Sequence, residues 1–493
     1  RECSADPQVF EAFVAKVGKQ IRGFDARAAA IEAVRAATTL PFDEGMKKER
    51  ELFNQLMDGS QSMAQRYLFF SEREVAKIPD VPKGTPTRDI AKVAVVGAGT
   101  MGGGIAMAFA DGGVPVRLLE VDEAALERGI GVIRKNYEAS VARGRLTEDQ
   151  AKARVDSIRP SLDYADLADA DLVIEAVFED MEVKRQVFAK LDEVCKPGAI
   201  LATNTSTLDV DAIASGSAHP ERVLGMHFFS PANVMKLVEV VRGAATDKEV
   251  LATAMGLVKR LRKVGVAVGV CFGFVGNRML FHYTREARFL LEEGASPEQV
   301  DRVLSGFGMP MGPLQMSDLA GLDVMYRIRQ SPEGRPVEGE RDSKIGDMLF
   351  EAGRLGQKSG AGFYRYEGRK AVADPEVEKM IEQCAREAGI ERREISDEEI
   401  LQRCLYPVIN EGAKILQEGI ALRPCDIDVI WIYGYGFPRY HGGPMCYADV
   451  VGLGRVVAGL EALAEKHGKL FEPAPLLKKL AAEGKKLSSW RRS

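Results

Sequence analysis

The sequence predicts a doubly wound α/β domain followed by two related all-α modules and preceded by a helical segment. Three observations predict it. Between residues 90 and 270, short apolar runs alternate with helical stretches, as expected of strands covered on both faces by crossover helices. The first run leads into a glycine-rich turn, Gly97-Ala-Gly-Thr-Met-Gly102, that opens a helix. From residue 271 the pattern is helical to the end, and one ordered set of residues occurs twice.

Taken in order, residues 1–77 read as helices. Phe10-Glu-Ala-Phe-Val-Ala-Lys-Val repeats apolar residues at helical spacing, Asp43–Met57 sets Leu52, Phe53, Leu56 and Met57 against charges, and a third stretch holds Met63, Tyr67, Leu68 and Phe69. Residues 78–89 contain Ile78-Pro-Asp-Val-Pro-Lys-Gly-Thr-Pro86, three prolines in nine residues, a semi-rigid linker. The strands expected in the domain 90–270 are Lys92–Val96, Val114–Leu119, Leu172–Val177, Ile200–Thr203, Val223–Phe228, Leu237–Val241 and Val264–Val268. In the first module, 271–370, Glu286 and Leu290-Leu-Glu-Glu-Gly294 are followed by Gly308-Met-Pro310, Gly312-Pro313, Asp318 and Gly321. In the second, 396–493, Glu411 and Ile415-Leu-Gln-Glu-Gly419 are followed by Gly436-Phe-Pro438, Gly443-Pro444, Asp449 and Gly452. The same order at nearly the same spacing reads as a duplicated unit. A charged connection, 371–395, separates the copies.

Composition excludes several classes. The chain has 493 residues, 46% apolar and 28% charged, with a net charge of −5, so bulk electrostatics argue against a nucleic-acid partner. No apolar run is long enough to make a transmembrane segment. Seven cysteines are scattered without a Cys-x-x-Cys pair. No metal site is expected, and free thiols point to a reducing intracellular compartment, the cytoplasm in a bacterium. A peroxisomal location stays open, although the C-terminal Trp-Arg-Arg-Ser is not a Ser-Lys-Leu address.

The chemistry begins at the glycine turn. Gly97 permits the tight turn, Gly99 lets backbone approach a pyrophosphate, and Gly102 lets helix and strand pack closely. Thr100 and Met101 lie in the same turn, where the helix N-terminus favours an anion. Glu120 ends the second strand, near the ~20-residue offset at which an acid meets the adenine ribose. Its carboxylate accepts ribose hydroxyls and repels a 2′-phosphate, so NAD is expected over NADP.

The stretch Gly225-Met-His-Phe-Phe-Ser-Pro-Ala-Asn-Val-Met-Lys-Leu-Val-Glu-Val240 places His227 and Glu239 on neighbouring apolar segments. Two strands joined by the Ser230–Met235 turn would bring them together as a base and its orienting acid. Taken alone, the pair reads better as a structural buried histidine bonded to backbone and a glutamate at a strand edge; the neighbouring motifs shift the balance. Asn204 and Ser206 in Asn204-Thr-Ser206 follow a strand, and either face the ligand crevice or cap the next helix. Asn277, in Gly273-Phe-Val-Gly-Asn277-Arg, either reaches across a domain cleft or caps a helix. Glu179 and Lys184 either touch the cofactor or form a solvated pair at a helix start.

Together these motifs resemble the L-3-hydroxyacyl-CoA dehydrogenase family over residues 90 to about 490. Gly97–Gly102, Ile174-Glu-Ala-Val-Phe-Glu179, Asn204–Ser206, His227-Phe-Phe-Ser-Pro231, Lys236-Leu-Val-Glu239 and Gly273–Asn277 occur in the family's order. The resemblance implies a Rossmann-type domain and oxidation of a 3-hydroxyacyl-CoA by NAD in fatty-acid β-oxidation. It implies Ser206, His227, Glu239 and Asn277 as the catalytic group, with Glu120, Glu179, Lys184 and Asn204 contacting NAD. The duplicated module is similar to the dehydrogenase part of multifunctional β-oxidation enzymes. Residues 1–77 then look like the helical tail of a hydratase domain and its linking helix. The hydratase core is absent from this sequence, so no hydratase activity is expected of it. In single-module relatives the helical domain makes a homodimer, so a chain carrying both copies is expected to be a monomer. Two other classes remain beside this one: a dehydrogenase of free hydroxy acids, and a non-catalytic dinucleotide-binding protein of the same fold.

Overall fold

The computed structural model describes residues 7–21, 23–332, 334–335 and 341–492. Eight strands form one sheet: β1 Val93–Val96, β2 Val116–Leu119, β3 Ile158–Ser161, β4 Leu172–Glu175, β5 Ile200–Thr203, β6 Val223–Phe228, β7 Leu237–Arg242 and β8 Val264–Gly269. Their order across the sheet is β3-β2-β1-β4-β5-β6-β7-β8. β1 to β6 are parallel, β7 pairs antiparallel with β6, and β8 is parallel with β7.

β1 shows why the apolar runs are unbroken. Val93 and Val95 enter a core with Ile105 and Phe109, while Ala94 and Val96 enter another with Phe188 and Leu191. Successive side chains point to opposite faces, and both faces are covered. Strand order reverses between β1 and β4, which opens a crevice at the carboxyl ends of the strands. The site residues collect there.

β3 was not expected. Its Ile-Arg-Pro-Ser sequence exposes the two central residues, and proline is tolerated because the strand lies at the sheet edge. The linker is pinned to the sheet domain: Arg242 holds Asp80 at 2.6 Å, and Arg88 holds Glu249 at 3.1 Å.

Among the remaining described residues the elements are helical except for a two-stranded hairpin, β9 Arg365–Glu367 and β10 Lys370–Val372, also not expected. The charged connection carries the helix Pro375–Glu387, whose Val377, Ile381, Cys384 and Ala385 are buried. The two long helices Phe274–Glu293 and Asp397–Glu418 are joined by buried charge: Arg403 donates to Glu286 at 3.1 Å and to Glu293.

The repeat has a structural counterpart. Asp301 accepts from the Leu314 and Gln315 amides, and Asp428 accepts from those of Met445 and Cys446. A Cβ on Gly312 would lie 2.1 Å from Asp301 Oδ1, and one on Gly443 2.3 Å from the Asp428 Cβ, so both glycines are required by close approach. Each aspartate also accepts a tyrosine hydroxyl. Asp301 takes Tyr364 of its own module at 2.9 Å; Asp428 takes Tyr67, from the N-terminal helix Ser60–Glu74, at 2.7 Å. That helix also receives Tyr433 and Arg439 on Glu72, both at 2.6 Å, so the N-terminal segment is docked on the second module. Among the described residues, no helix is long and apolar enough to cross a membrane.

Candidate active site

The nucleotide cradle follows from three glycines with different tasks. Gly97 has φ +102°, and a Cβ there would lie 2.6 Å from the Ala176 carbonyl oxygen. A Cβ on Gly102 would lie 1.8 Å from the Gly97 carbonyl oxygen, so any other residue would break the turn. Gly99 has open space around its Cβ position. No protein packing demands glycine there, and the open space leaves the backbone accessible to a ligand. Thr100 and Met101 begin the helix Thr100–Asp111, with Gly99 as its cap. Glu120 lies beside this turn, its Oε2 accepting from the Ala98 amide at 2.9 Å and its Oε1 from the Val121 amide at 2.8 Å. A cavity of about 360 Å³ is lined by Gly99, Thr100, Glu120, Met107 and Asn233. This cradle fits a dinucleotide.

At the ends of β4 and β5 lies an ionic cluster, buried at Glu175 and Lys184 and 38% exposed at Glu179. Lys184, 1% exposed, meets Glu175 at 2.7 Å and Glu179 at 3.2 Å. Lys184 is therefore not the solvated partner that the alternative reading requires, although Glu179 is exposed. Glu175 also accepts the Thr203 hydroxyl at 2.7 Å. Glu179 accepts from the Thr205 hydroxyl at 2.6 Å and from the Ser206 amide at 2.8 Å. The cluster thus fixes the loop that carries Asn204 and Ser206. Asn204 is buried, and its Oδ1 accepts from the Phe228 amide at 2.9 Å. Neither residue caps the next helix, because Asp209 does so. The Ser206 hydroxyl has no partner among the described residues.

His227 and Glu239 face one another in register across the β6–β7 pair. His227 Nδ1 lies 2.8 Å from Glu239 Oε2, with side-chain exposures of 5% and 0%. The antiparallel turn is what places them together: β7 starts where β6 ends, so Glu239 returns to the same sheet edge. Lys263 secures that turn, donating to the carbonyls of Ala232 and Met235 at 2.7 and 2.6 Å. Burial pushes its ammonium down to about 8, against the weaker opposing pull of Asp111. The other Glu239 oxygen accepts from the Gly276 amide at 2.9 Å.

Gly276 belongs to the helix Phe274–Glu293, which starts in a left-handed turn with φ +72° at Gly273 and +49° at Phe274. Positive φ in a bulky residue is costly and marks a backbone held by its surroundings. Here it turns the first helical amides toward Glu239 and sets the Phe274 ring 5.6 Å from that of His227. Asn277 is not the helix cap; Gly273 is. Its Nδ2 faces the Ser206 carbonyl at 3.4 Å and its Oδ1 accepts from Tyr435 at 2.8 Å. The four residues expected as a catalytic group therefore lie together: His227 on Glu239, Glu239 on the Gly276 amide next to Asn277, and Asn277 on the Ser206 carbonyl. Glu175 and Tyr435 were missed. Glu175 could have been found as an acid inside an apolar strand, whereas Tyr435 carried no such signal.

An α/β sheet with a dinucleotide cradle and a buried histidine–carboxylate pair at its carboxyl edge defines a nucleotide-dependent dehydrogenase. The family model described as 3-hydroxyacyl-CoA dehydrogenase, NAD binding domain, matches residues 92–271. The one described as 3-hydroxyacyl-CoA dehydrogenase, C-terminal domain, matches residues 273–366 and 400–489. The chain is 46% identical to the peroxisomal bifunctional enzyme of Danio rerio, covering 98% of this chain and 69% of that protein. It is 43% identical to the peroxisomal bifunctional enzyme of Homo sapiens, with the same coverage of 98% and 69%. Among solved structures it resembles 3-hydroxybutyryl-CoA dehydrogenase from Escherichia coli K12 (TM-score 0.68, 32% identity, 80% of this chain and 99% of that one). It also resembles the dehydrogenase part of multifunctional enzyme 1 from C. elegans (TM-score 0.63, 31% identity, 84% and 96%). The chain belongs to the 3-hydroxyacyl-CoA dehydrogenase family. It is an NAD-dependent oxidoreductase of fatty-acid β-oxidation.

Proposed function

We propose that this chain oxidises (S)-3-hydroxyacyl-CoA to 3-ketoacyl-CoA with His227 as the proton acceptor. The observation that carries the reading is the buried His227–Glu239 contact at 2.8 Å, set at the carboxyl edge of the sheet that holds the nucleotide cradle. Glu239 accepts from Nδ1–H, which leaves the Nε2 lone pair to take the C3 hydroxyl proton as the hydride leaves C3. Bound NAD supplies the hydride acceptor. Glu239 then stabilises the imidazolium, and its second oxygen, tied to the Gly276 amide, keeps the carboxylate from turning away. Ser206 and Asn277 hold the reacting oxygen and the thioester carbonyl and so fix the geometry of transfer. Gly97, Gly99, Thr100, Met101 and Gly102 hold the pyrophosphate, and Glu120 the adenine ribose. Asn204, Glu179 and Lys184 form the wall beside the nicotinamide end.

The domain division proposed is 90–270 for the cofactor domain, with helical modules at 271–370 and 396–493. The second module takes the place that a partner subunit would take, and the chain is a monomer. The names of its relatives support a peroxisomal setting. The test is NADH oxidation by the purified chain with acetoacetyl-CoA and, in parallel, free acetoacetate. Turnover of the thioester alone is expected. Equal turnover of the free acid would favour a hydroxy-acid dehydrogenase, and NADH binding without turnover of either would favour a non-catalytic protein.

A further inference from the structure

Tyr435 ends the second module's helix Pro424–Tyr435, yet its side chain lies at the site of the cofactor domain. Its hydroxyl donates to Asn277 Oδ1 at 2.8 Å. Its ring stands edge-on to Phe229 at 5.6 Å, and Phe229 lies 4.7 Å from the His227 ring. A Cβ on Gly276, the residue whose amide holds Glu239, would lie 2.8 Å from the Tyr435 hydroxyl oxygen. One side chain thus borders three of the groups that shape the site.

The repeat shows that the hydroxyl is not inherited from the module's general architecture. Phe307-Gly308-Met-Pro310 and Tyr435-Gly436-Phe-Pro438 occupy equivalent places, each ending a helix before a left-handed glycine. In the first module that place holds phenylalanine, and Phe307 stacks on His441 at 4.5 Å. Only the copy that faces the crevice carries an oxygen.

We propose that Tyr435 is a positioning residue for the dehydrogenase reaction, fixing the Asn277 amide so that Nδ2 faces the substrate oxygen. The proposal rests on the reading of Asn277 as a substrate contact. An amide presents an acceptor on one side and donors on the other, and rotation exchanges them. The Ser206 carbonyl, which can only accept, selects the observed arrangement, because the flipped amide would set Oδ1 against the oxygen that Nδ2 now faces at 3.4 Å. The Tyr435 hydroxyl, donating to Oδ1 at 2.8 Å, then holds the amide in that plane. Burial, reinforced by the charge of Glu239, raises the Tyr435 hydroxyl well above its ordinary value, so it stays a donor throughout the working pH range.

The test compares kcat and KM for acetoacetyl-CoA reduction in the wild type, Y435F, N277A and the double variant, beside NADH affinity and melting temperature. Y435F is expected to lower kcat about tenfold, the scale of one buried hydrogen bond and its unpaired partner. NADH affinity should hold, and no further loss should appear in the N277A background. A wild-type kcat in Y435F, with N277A impaired, overturns the proposal alone. An equal loss from Y435F in the N277A background also overturns it, because ring packing would then explain the effect. Wild-type turnover in N277A sinks the reading of Asn277 and the proposal with it.

Discussion

Glu239 reaches His227 with one carboxylate oxygen at 2.8 Å and holds the Gly276 amide with the other at 2.9 Å. Both oxygens are committed, and the second contact decides what a substitution does. In Glu239→Gln the side-chain oxygen stays with the Gly276 amide, so the NH2 group faces Nδ1. That forces Nδ1 to accept and moves the ring proton to Nε2, where a base must be bare. The expected result is a fall in kcat of about 10²–10⁴ with KM little changed. Steady-state kinetics on a variant with an unchanged circular dichroism spectrum checks this, and retention of more than a tenth of kcat would contradict it.

Glu120 accepts the Ala98 amide beside Gly99. Glu120→Ala is expected to weaken NADH binding and to relax discrimination against NADPH. Fluorescence titration with both nucleotides measures it. An unchanged preference would remove Glu120 from the ribose.

Tyr67 donates to the buried Asp428 at 2.7 Å, where Tyr364 serves Asp301 in the other module. Tyr67→Phe leaves a buried carboxyl one donor short. It is expected to cost about 1–2 kcal/mol in urea unfolding without changing kcat. No loss of stability would mean that the N-terminal helix docks without this contact.

Glu293 links the long helices of the two modules through Arg403. Burial would push its carboxyl up, but the hydrogen bonds and charges of Arg403 and Arg341 prevail and hold it at about 2, below the ordinary 4.5. The folded value lies below the unfolded one, so its contribution is complete above pH 4.5 and is lost as pH falls toward about 2. The amount is on the order of 3 kcal/mol. In Glu293→Gln the fall in stability across that window should be shallower. An identical acid profile in urea melts of both proteins would contradict the assignment.

Legibility in the sequence followed the range of the interaction. All seven expected strands begin or end within a residue or two of observed ones because runs such as Val93–Val96 or Ile200–Thr203 are apolar throughout, a local property. The His227–Glu239 encounter was readable because a short turn between two apolar runs leaves little freedom of register. β3 was hidden because an edge strand need not be apolar. The burial of Lys184 was hidden because its partner Glu175 lies on another element. Tyr435 meets Asn277 across 158 residues, and Tyr67 meets Asp428 across 361. No periodicity encodes which face of one module meets another.

The most direct test of the central claim is turnover of acetoacetyl-CoA by His227→Ala, with NADH affinity measured on the same preparation. A loss of at least about 10² in kcat with NADH affinity intact is predicted. Turnover within a few-fold of wild type would contradict His227 as the base.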